Sequence, residues 1–279
     1  MPLDPALIAK AIPPGSTNYY SLRFSAASLR PDLQVLLIWY REVNTIPHRV
    51  SDPQVAQAKL SWWQQELHQA LSGQSELPLA QAVASVISRY QLPLKVFDHI
   101  AVAVMSDLAH APHDNWSSLD RYARQVGGNL ATLLCRVSGA ESGDDLELAR
   151  KLGGFVRQVE LMQELGISLR RHSNPLPTTL IQQHELSQQF LDADDAPQQL
   201  AKLLTEMATR LRDLYLECAQ QIDSRKPQLQ PLLIQAELAS VLLNTLQKSD
   251  FMVLDQRISL TPLQKLWIAW RCSKRQRLK

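Results

Sequence analysis

The sequence predicts an all-α protein folded as a single domain, on three observations. Apolar residues recur at three- and four-residue steps, the period of a helix with one buried face. Leu, Ala and Gln dominate the composition and favour helix. The nine glycines are few and none follows Gly166, so the last third is helix joined by proline and polar turns. No repeat, low-complexity run or linker divides residues 1–279, which are enough to bury a large core.

Each element has a local reason. Asp4 followed by Pro5 reads as an N-cap and first helical residue, and Pro13-Pro14-Gly15 breaks that helix after Ile12. A further helical stretch reaches Tyr40-Arg41 and is interrupted by Pro47, which leaves His48 in a loop. Asp52-Pro53 opens a helix to Leu71 whose buried stripe is Val55, Leu60, Trp63, Leu67 and Leu71; Trp62-Trp63 reads as packing. A turn at 73–78 precedes a helix over 79–90, and Pro93 opens another that runs to Leu108. His110 and His113 have a metal-like spacing but no third ligand beside them.

Ser117 to Asp120 starts the next helix, which carries Gly127-Gly128 in its interior. Each mid-helix glycine costs about 1 kcal/mol against alanine, so a close helix contact or room for a ligand is expected there. From Leu148 to Gly166, the residues Leu148, Leu152, Phe155, Val159, Met162 and Gly166 share one face, and Pro175 and Pro177 end any helix. Two short helices and a loop follow; Asp192, Asp194 and Asp195 there read as solvated helix-start charge, not a metal site. Long helices are predicted over 198–222 and 227–246, with an apolar patch at Phe251 and Val253. A terminal helix starts at Thr261-Pro262, and Trp267 and Trp270 either dock it on the body or meet a lipid interface.

Charge excludes one class of partner. The net charge is +2, but the basic tail, residues 271–279, carries five positive charges and leaves the remainder near −3. A nucleic-acid-binding body would show a broad basic face instead. Cys135, Cys218 and Cys272 are odd in number and far apart, which suits buried thiols in a reducing cytoplasm. The N-terminus lacks the pattern of a signal peptide, and no run reaches the roughly 18 apolar residues of a membrane span. The expected location is cytoplasmic, with peripheral contact at the inner membrane, if any, through the C-terminal helix and basic tail.

The chemistry concentrates between Leu148 and Pro177. Glu160, Glu164 and Ser168 follow at i, i+4 and i+8 and stand in one row, closed by Arg170 and Arg171. Carboxylates so spaced can share Mg²⁺ ions that hold a diphosphate, while guanidinium groups take its remaining oxygens. The same spacing also fits an ordinary solvated face with i, i+4 charge pairs.

Ala149, Arg150, Leu152 and Gly153, with Leu176-Pro177 after the arginines, give this stretch a register that resembles the second aspartate-rich helix of the squalene/phytoene synthase family. Asn18-Tyr19-Tyr20, Tyr40-Arg41, Trp62-Trp63, Met105 with Asp107-Leu108, Tyr122 with Gly127-Gly128, and the terminal Pro262–Trp270 segment extend the resemblance over nearly the whole chain. It implies an isoprenoid-synthase-like helical bundle around a central cavity, in which active members join two allylic prenyl diphosphates with Mg²⁺. At the family's metal-binding aspartates this chain has Asn44, Thr45 and His48 in the first cluster and Glu164 and Ser168 in the second. One carboxylate in those places is too few for a Mg²⁺ cluster, which needs hard anionic oxygens.

The resemblance therefore implies a catalytically silent shell, similar to the family's non-catalytic branch, which includes a mitochondrial complex I assembly factor. Such a shell needs no cofactor and serves a protein partner or a prenyl diphosphate or lipid-like ligand. Arg41, Arg157, Arg170 and Arg171 would take an anionic head group, with Tyr19, Tyr122, Gly127 and Gly128 along the ligand. The competing expectation is an active prenyltransferase with relocated Mg²⁺ ligands at Glu160, Glu164 and Asp107.

Overall fold

A computed structural model describes residues 3–50, 52–106, 108, 113–171, 173–186, 196–222 and 227–277. Among them there is no strand, and the chain runs as α1 (Pro5–Ala11), α2 (Thr17–Phe24), α3 (Arg30–Asn44), α4 (Ile46–Arg49), α5 (Pro53–Leu71), α6 (Pro78–Tyr90) and α7 (Leu94–Ser106). It continues as α8 (Trp116–Ala123), a π-helical turn (Arg124–Gly128), α9 (Asn129–Val137), α10 (Gly143–Gln163), α11 (Leu165–Arg170) and α12 (Thr178–Gln183). The last part is α13 (Ala196–Gln221), a 3₁₀ turn (Pro227–Leu229), α14 (Gln230–Lys248) and α15 (Pro262–Arg277). Asp107, His110, Asp192, Asp194 and Asp195 lie outside the described residues.

Side-chain caps start several of these helices where the sequence places them. The Ala6 and Gln54 amides donate to Asp4 and Asp52, each at 2.8 Å, and Ser16 accepts from the Tyr19 amide at 3.1 Å. On α8 the cap is Asn115, paired reciprocally with Ser118, two residues before the predicted start at Ser117. The helix is interrupted before Pro47 as expected, α3 ending at Asn44, but Pro47 stands in the first turn of α4, so His48 sits on a helical turn and not in a loop.

Two large apolar clusters form the core. One gathers α1, α3, α5, α6 and α7 around Trp39, which meets Phe97 edge-on at 4.8 Å. The other gathers α10 to α14 around Phe155 and Leu204. Helix α9 joins them, giving Leu133 and Leu134 to the first and Ala131 and Cys135 to the second. A smaller cluster of Tyr20, Ile234, Leu238, Leu260, Ile268 and Ala269 seats α2, α14 and α15. Asp32, buried in the first turn of α3, receives Arg89 at 2.7 Å and the Tyr90 hydroxyl at 2.8 Å, which ties α3 to α6. The three cysteines are free, with Cys135 and Cys218 buried. The segment Pro227–Lys248 is long and apolar enough to cross a membrane, but most of it is buried in the core.

The structure corrects three further expectations. Val55 and Leu71 are 45% and 37% exposed, and Ala56 takes the place of Val55 in the buried stripe of α5. The helix through Leu148 ends at Gln163; Glu164, with φ −93° and ψ 3°, is the joint before α11. Beyond the joint, Gly166 lies so close to the Val253 carbonyl that a Cβ would not fit. Finally, Ile268 and Ala269 seat α15, while Trp267 and Trp270 are 55% and 49% exposed and do not dock it.

Candidate functional site

A cavity of about 730 Å³ opens where the three clusters meet. Its walls come from the turn after α1, the start of α2, the end of α3, α4, α10, α11 and α14, and from residues 257–265. Asn44 and His48 on one side, and Glu164 and Ser168 on the other, all line it. An adjoining chamber of about 390 Å³ adds His113, Tyr122 and the 173–175 turn, and shares His48, Arg49, Arg157, Ser168 and Arg171 with the first. Arg171 crosses between these walls, its Nη1 donating to the His48 carbonyl at 3.3 Å.

Charge is the cavity's dominant property. Arg41, Arg49, Arg157, Arg171, Arg257 and Lys265 line it, against two carboxylates, Glu160 and Glu164. Both carboxylates already face a guanidinium: Glu160 is 3.6 Å from Arg157 and Glu164 3.4 Å from Arg257. Burial pushes Glu160 up to about 7, with Arg157 opposing and Glu164 adding to the rise; 45% of its side chain faces the open cavity. Burial also lowers Lys265, helped by Arg257, and the ammonium donates to the Gly15 carbonyl at 3.1 Å. His113 is lowered by burial, with Asp114 opposing.

Three polar atoms of the lining residues, two donors and one acceptor, are buried without partners. Arg157 is 3% exposed; its Nη2 donates to the Tyr122 hydroxyl at 3.1 Å, but its Nε is buried without a partner. Arg41 donates from Nη1 to the Ala11 carbonyl at 3.3 Å and likewise leaves its Nε unpaired. The buried Asn44 Oδ1 has no partner, though an amide can turn either its oxygen or its nitrogen to a ligand. Unpaired buried polar groups are rare and costly, and guanidinium groups contributed by both α3 and α10 suit an anionic oxygen ligand. Among the described residues, no three His, Cys, Asp or Glu converge as a metal site.

The expected site residues divide. Arg41, Asn44, Thr45, His48, Arg157, Glu160, Glu164, Ser168 and Arg171 line the larger cavity, and Tyr122 lines the smaller. Tyr19 instead meets Tyr20 edge-on, while its neighbours Thr17 and Asn18 line the wall. Arg170 turns away and donates to the Leu254 carbonyl at 2.8 Å. Gly127 and Gly128 resolve in favour of close packing: a Cβ would lie 2.5 Å from the Gly153 carbonyl in one case and 2.6 Å from the Arg150 carbonyl in the other, so α10 fills the room they leave. Sequence reasoning missed Arg49, Arg257 and Lys265. Lys265 belongs to the terminal helix, whose sequence predicts docking on the body or a lipid interface and no part in the cavity.

A family model described as squalene/phytoene synthase matches residues 13–264. A phytoene synthase of Thermus thermophilus is 24% identical over 158 residues, which span 56% of this chain and 54% of that protein, so the match covers about half the length of that relative. Two solved structures share the fold at 16% identity. One is a dehydrosqualene synthase in complex with ligand, with a TM-score of 0.84 over 98% of this chain and 96% of the other. The second is squalene synthase HpnC from Alicyclobacillus acidocaldarius, with a TM-score of 0.72 over 88% and 94%. The match begins at the turn after α1 and reaches α15, taking in the cavity walls between them, and by it the chain belongs to the squalene/phytoene synthase family.

Proposed function

We propose that this protein is a catalytically silent member of its family that binds a phosphorylated, lipid-like ligand without metal. The observation that carries this reading is the cavity itself: it is open, and six cationic side chains outnumber two carboxylates that already face arginines. The Arg41 and Arg157 guanidinium groups would take phosphate oxygens, with Arg171 and Arg257 on the same lining. Val156, Val159, Ile167, Leu238, Ala239 and Leu242 supply apolar wall for an isoprenoid tail, in a volume ordinary for a small-molecule site.

The Mg²⁺ that the family implies does not fit this donor set. Magnesium takes hard oxygens in near-octahedral geometry. At the matched positions Asn44, Thr45 and Ser168 offer neutral oxygens, His48 an imidazole, and only Glu164 a carboxylate. Six nearby positive charges oppose a dication further. Arginines can hold a diphosphate in its ground state, but its departure as an anion draws most on metal charge. The enzyme alternative would rest on Glu160, Glu164 and Asp107. An assembly or scaffold role requires no open cavity, so the open one favours a binder. Free, buried thiols suit the reducing cytoplasm expected for it.

The test is incubation of the purified full chain with farnesyl or geranylgeranyl diphosphate, in Mg²⁺ and in chelator. Expected are equal binding in both conditions and no diphosphate release. Mg²⁺-dependent release of diphosphate, or a condensed hydrocarbon product, overturns the reading, and so does binding that disappears in chelator.

A further inference from the structure

We infer that the outer face of α15 docks on an anionic lipid bilayer. The helix has two distinct sides. Its inner side packs Ile268 and Ala269 against α14 and α2, turns Lys265 into the cavity wall, and pairs Arg271 with Glu237 at 3.0 Å. Its outer side presents Leu263, Leu266, Trp267 and Trp270, which are 78%, 38%, 55% and 49% exposed. These four fall at steps of three, four and seven residues from Leu263, so they form one stripe along the helix. Lys274, also exposed, prolongs the stripe by one more turn. Leaving two tryptophans and two leucines in water on one helix is unfavourable unless something covers them.

The identity of that cover follows from charge and residue type. The last nine residues hold five cations and no acid, directly after the stripe. Arg271 lies over the Trp267 ring at 4.5 Å but is paired with Glu237, so Lys274 is the exposed cation presented with the indoles. Tryptophan beside lysine and arginine is the composition of a helix lying in the headgroup layer, where indoles settle at the interface and the cations meet lipid phosphates. A protein partner would match the apolar stripe equally well, but the acid-free run of cations favours a surface of uniform negative charge. The surface stands on its own residues and does not rest on what the cavity holds. Because Lys265 lines that cavity from the same helix, docking would hold the cavity wall at the bilayer.

The experiment uses the full chain and two sets of vesicles, phosphatidylcholine alone and phosphatidylcholine mixed with phosphatidylglycerol. Cosedimentation is expected with the mixed vesicles, weakening with salt. W267S/W270S should bind about tenfold less or worse, and K274Q/R275Q/R277Q should lose the preference for phosphatidylglycerol. Circular dichroism checks that each variant folds. If W267S/W270S does not, brominated lipid supplies the readout on the native chain. Its tryptophan emission should be quenched, and W267F/W270F should bind while losing that quenching. Absence of binding to mixed vesicles, or quenching unchanged in W267F/W270F, overturns the proposal. So does a concentration-dependent dimer that W267S/W270S abolishes while vesicle binding is absent.

Discussion

Arg157 is the residue on which stability and function should part. It is 3% exposed, touches the Tyr122 hydroxyl and leaves its Nε unpaired, a poor arrangement for a charge that serves only the fold. Replacing a buried charge with an apolar side chain of similar volume is often neutral or stabilising, provided no second charge is stranded. Glu160 is not stranded, because 45% of its side chain reaches the cavity and its carboxyl, already pushed up to about 7, can take a proton. Arg157→Met should therefore leave unfolding free energy unchanged or raise it by up to about 3 kcal/mol, the lost Tyr122 hydrogen bond taking back about 1. The same variant should bind a prenyl diphosphate about ten- to a hundredfold more weakly, the cost of a charged hydrogen bond. Urea unfolding and a binding titration check both. A variant destabilised by several kcal/mol with affinity intact would make Arg157 a structural residue.

Among the elements, the contact between the π-helical turn and α10 sets the geometry of the cavity wall, since Arg157 projects from α10 beside it. Gly127 and Gly153 face each other there, and the Cβ of Gly127→Ala would meet both the Gly153 carbonyl at 2.5 Å and the Arg157 Cβ at 2.7 Å. Two backbones would have to separate, so Gly127→Ala should lose about 1–3 kcal/mol despite alanine's better helix propensity. Gly143→Ala is the contrast. It begins α10 with nothing near its added carbon, and should be neutral or gain up to about 1 kcal/mol. Thermal unfolding of the two variants decides. At this scale much was legible in the sequence, because capping and periodicity are local. Asp4, Asp52 and Pro262 each start the helix they announce. What escaped depends on neighbours that the sequence does not list. The joint at Glu164 comes just before Gly166 meets the 253 carbonyl, and α15 docks by Ile268 and Ala269 because its partner helices approach from that side.

Over the whole molecule, the site was legible only where it is local. Glu160, Glu164, Ser168 and Arg171 share one stretch of chain, so their spacing placed them together. Tyr19 and Arg170 miss the cavity by one position each, and one position turns a helical side chain by about 100°. Lys265 reaches Gly15 across 250 residues of sequence, a meeting that only the folded chain reveals. That long-range assembly also gathers charge. The chain is only +2 overall, and its tail holds five cations, yet the cavity alone sets six cations against two acids. An anionic ligand is then drawn by a local field, and Glu160 is the member of that field that titrates near neutrality. Its folded value lies above the ordinary carboxyl range, so it is ionised above about 7, where it opposes an anion, and neutral below. Affinity for a prenyl diphosphate should therefore rise as pH falls from about 8 to about 6. The ligand's own phosphate titrates near about 6 and adds its own slope, which a variant separates from that of Glu160. Glu160→Gln meets the same phosphate and lacks the carboxyl. It should bind more tightly than the native chain at the alkaline end, converge with it at the acid end, and so show the shallower profile. Parallel profiles in a calorimetric titration would mean that Glu160 does not tune the cavity, and that the arginines hold their ligand in a field independent of its charge.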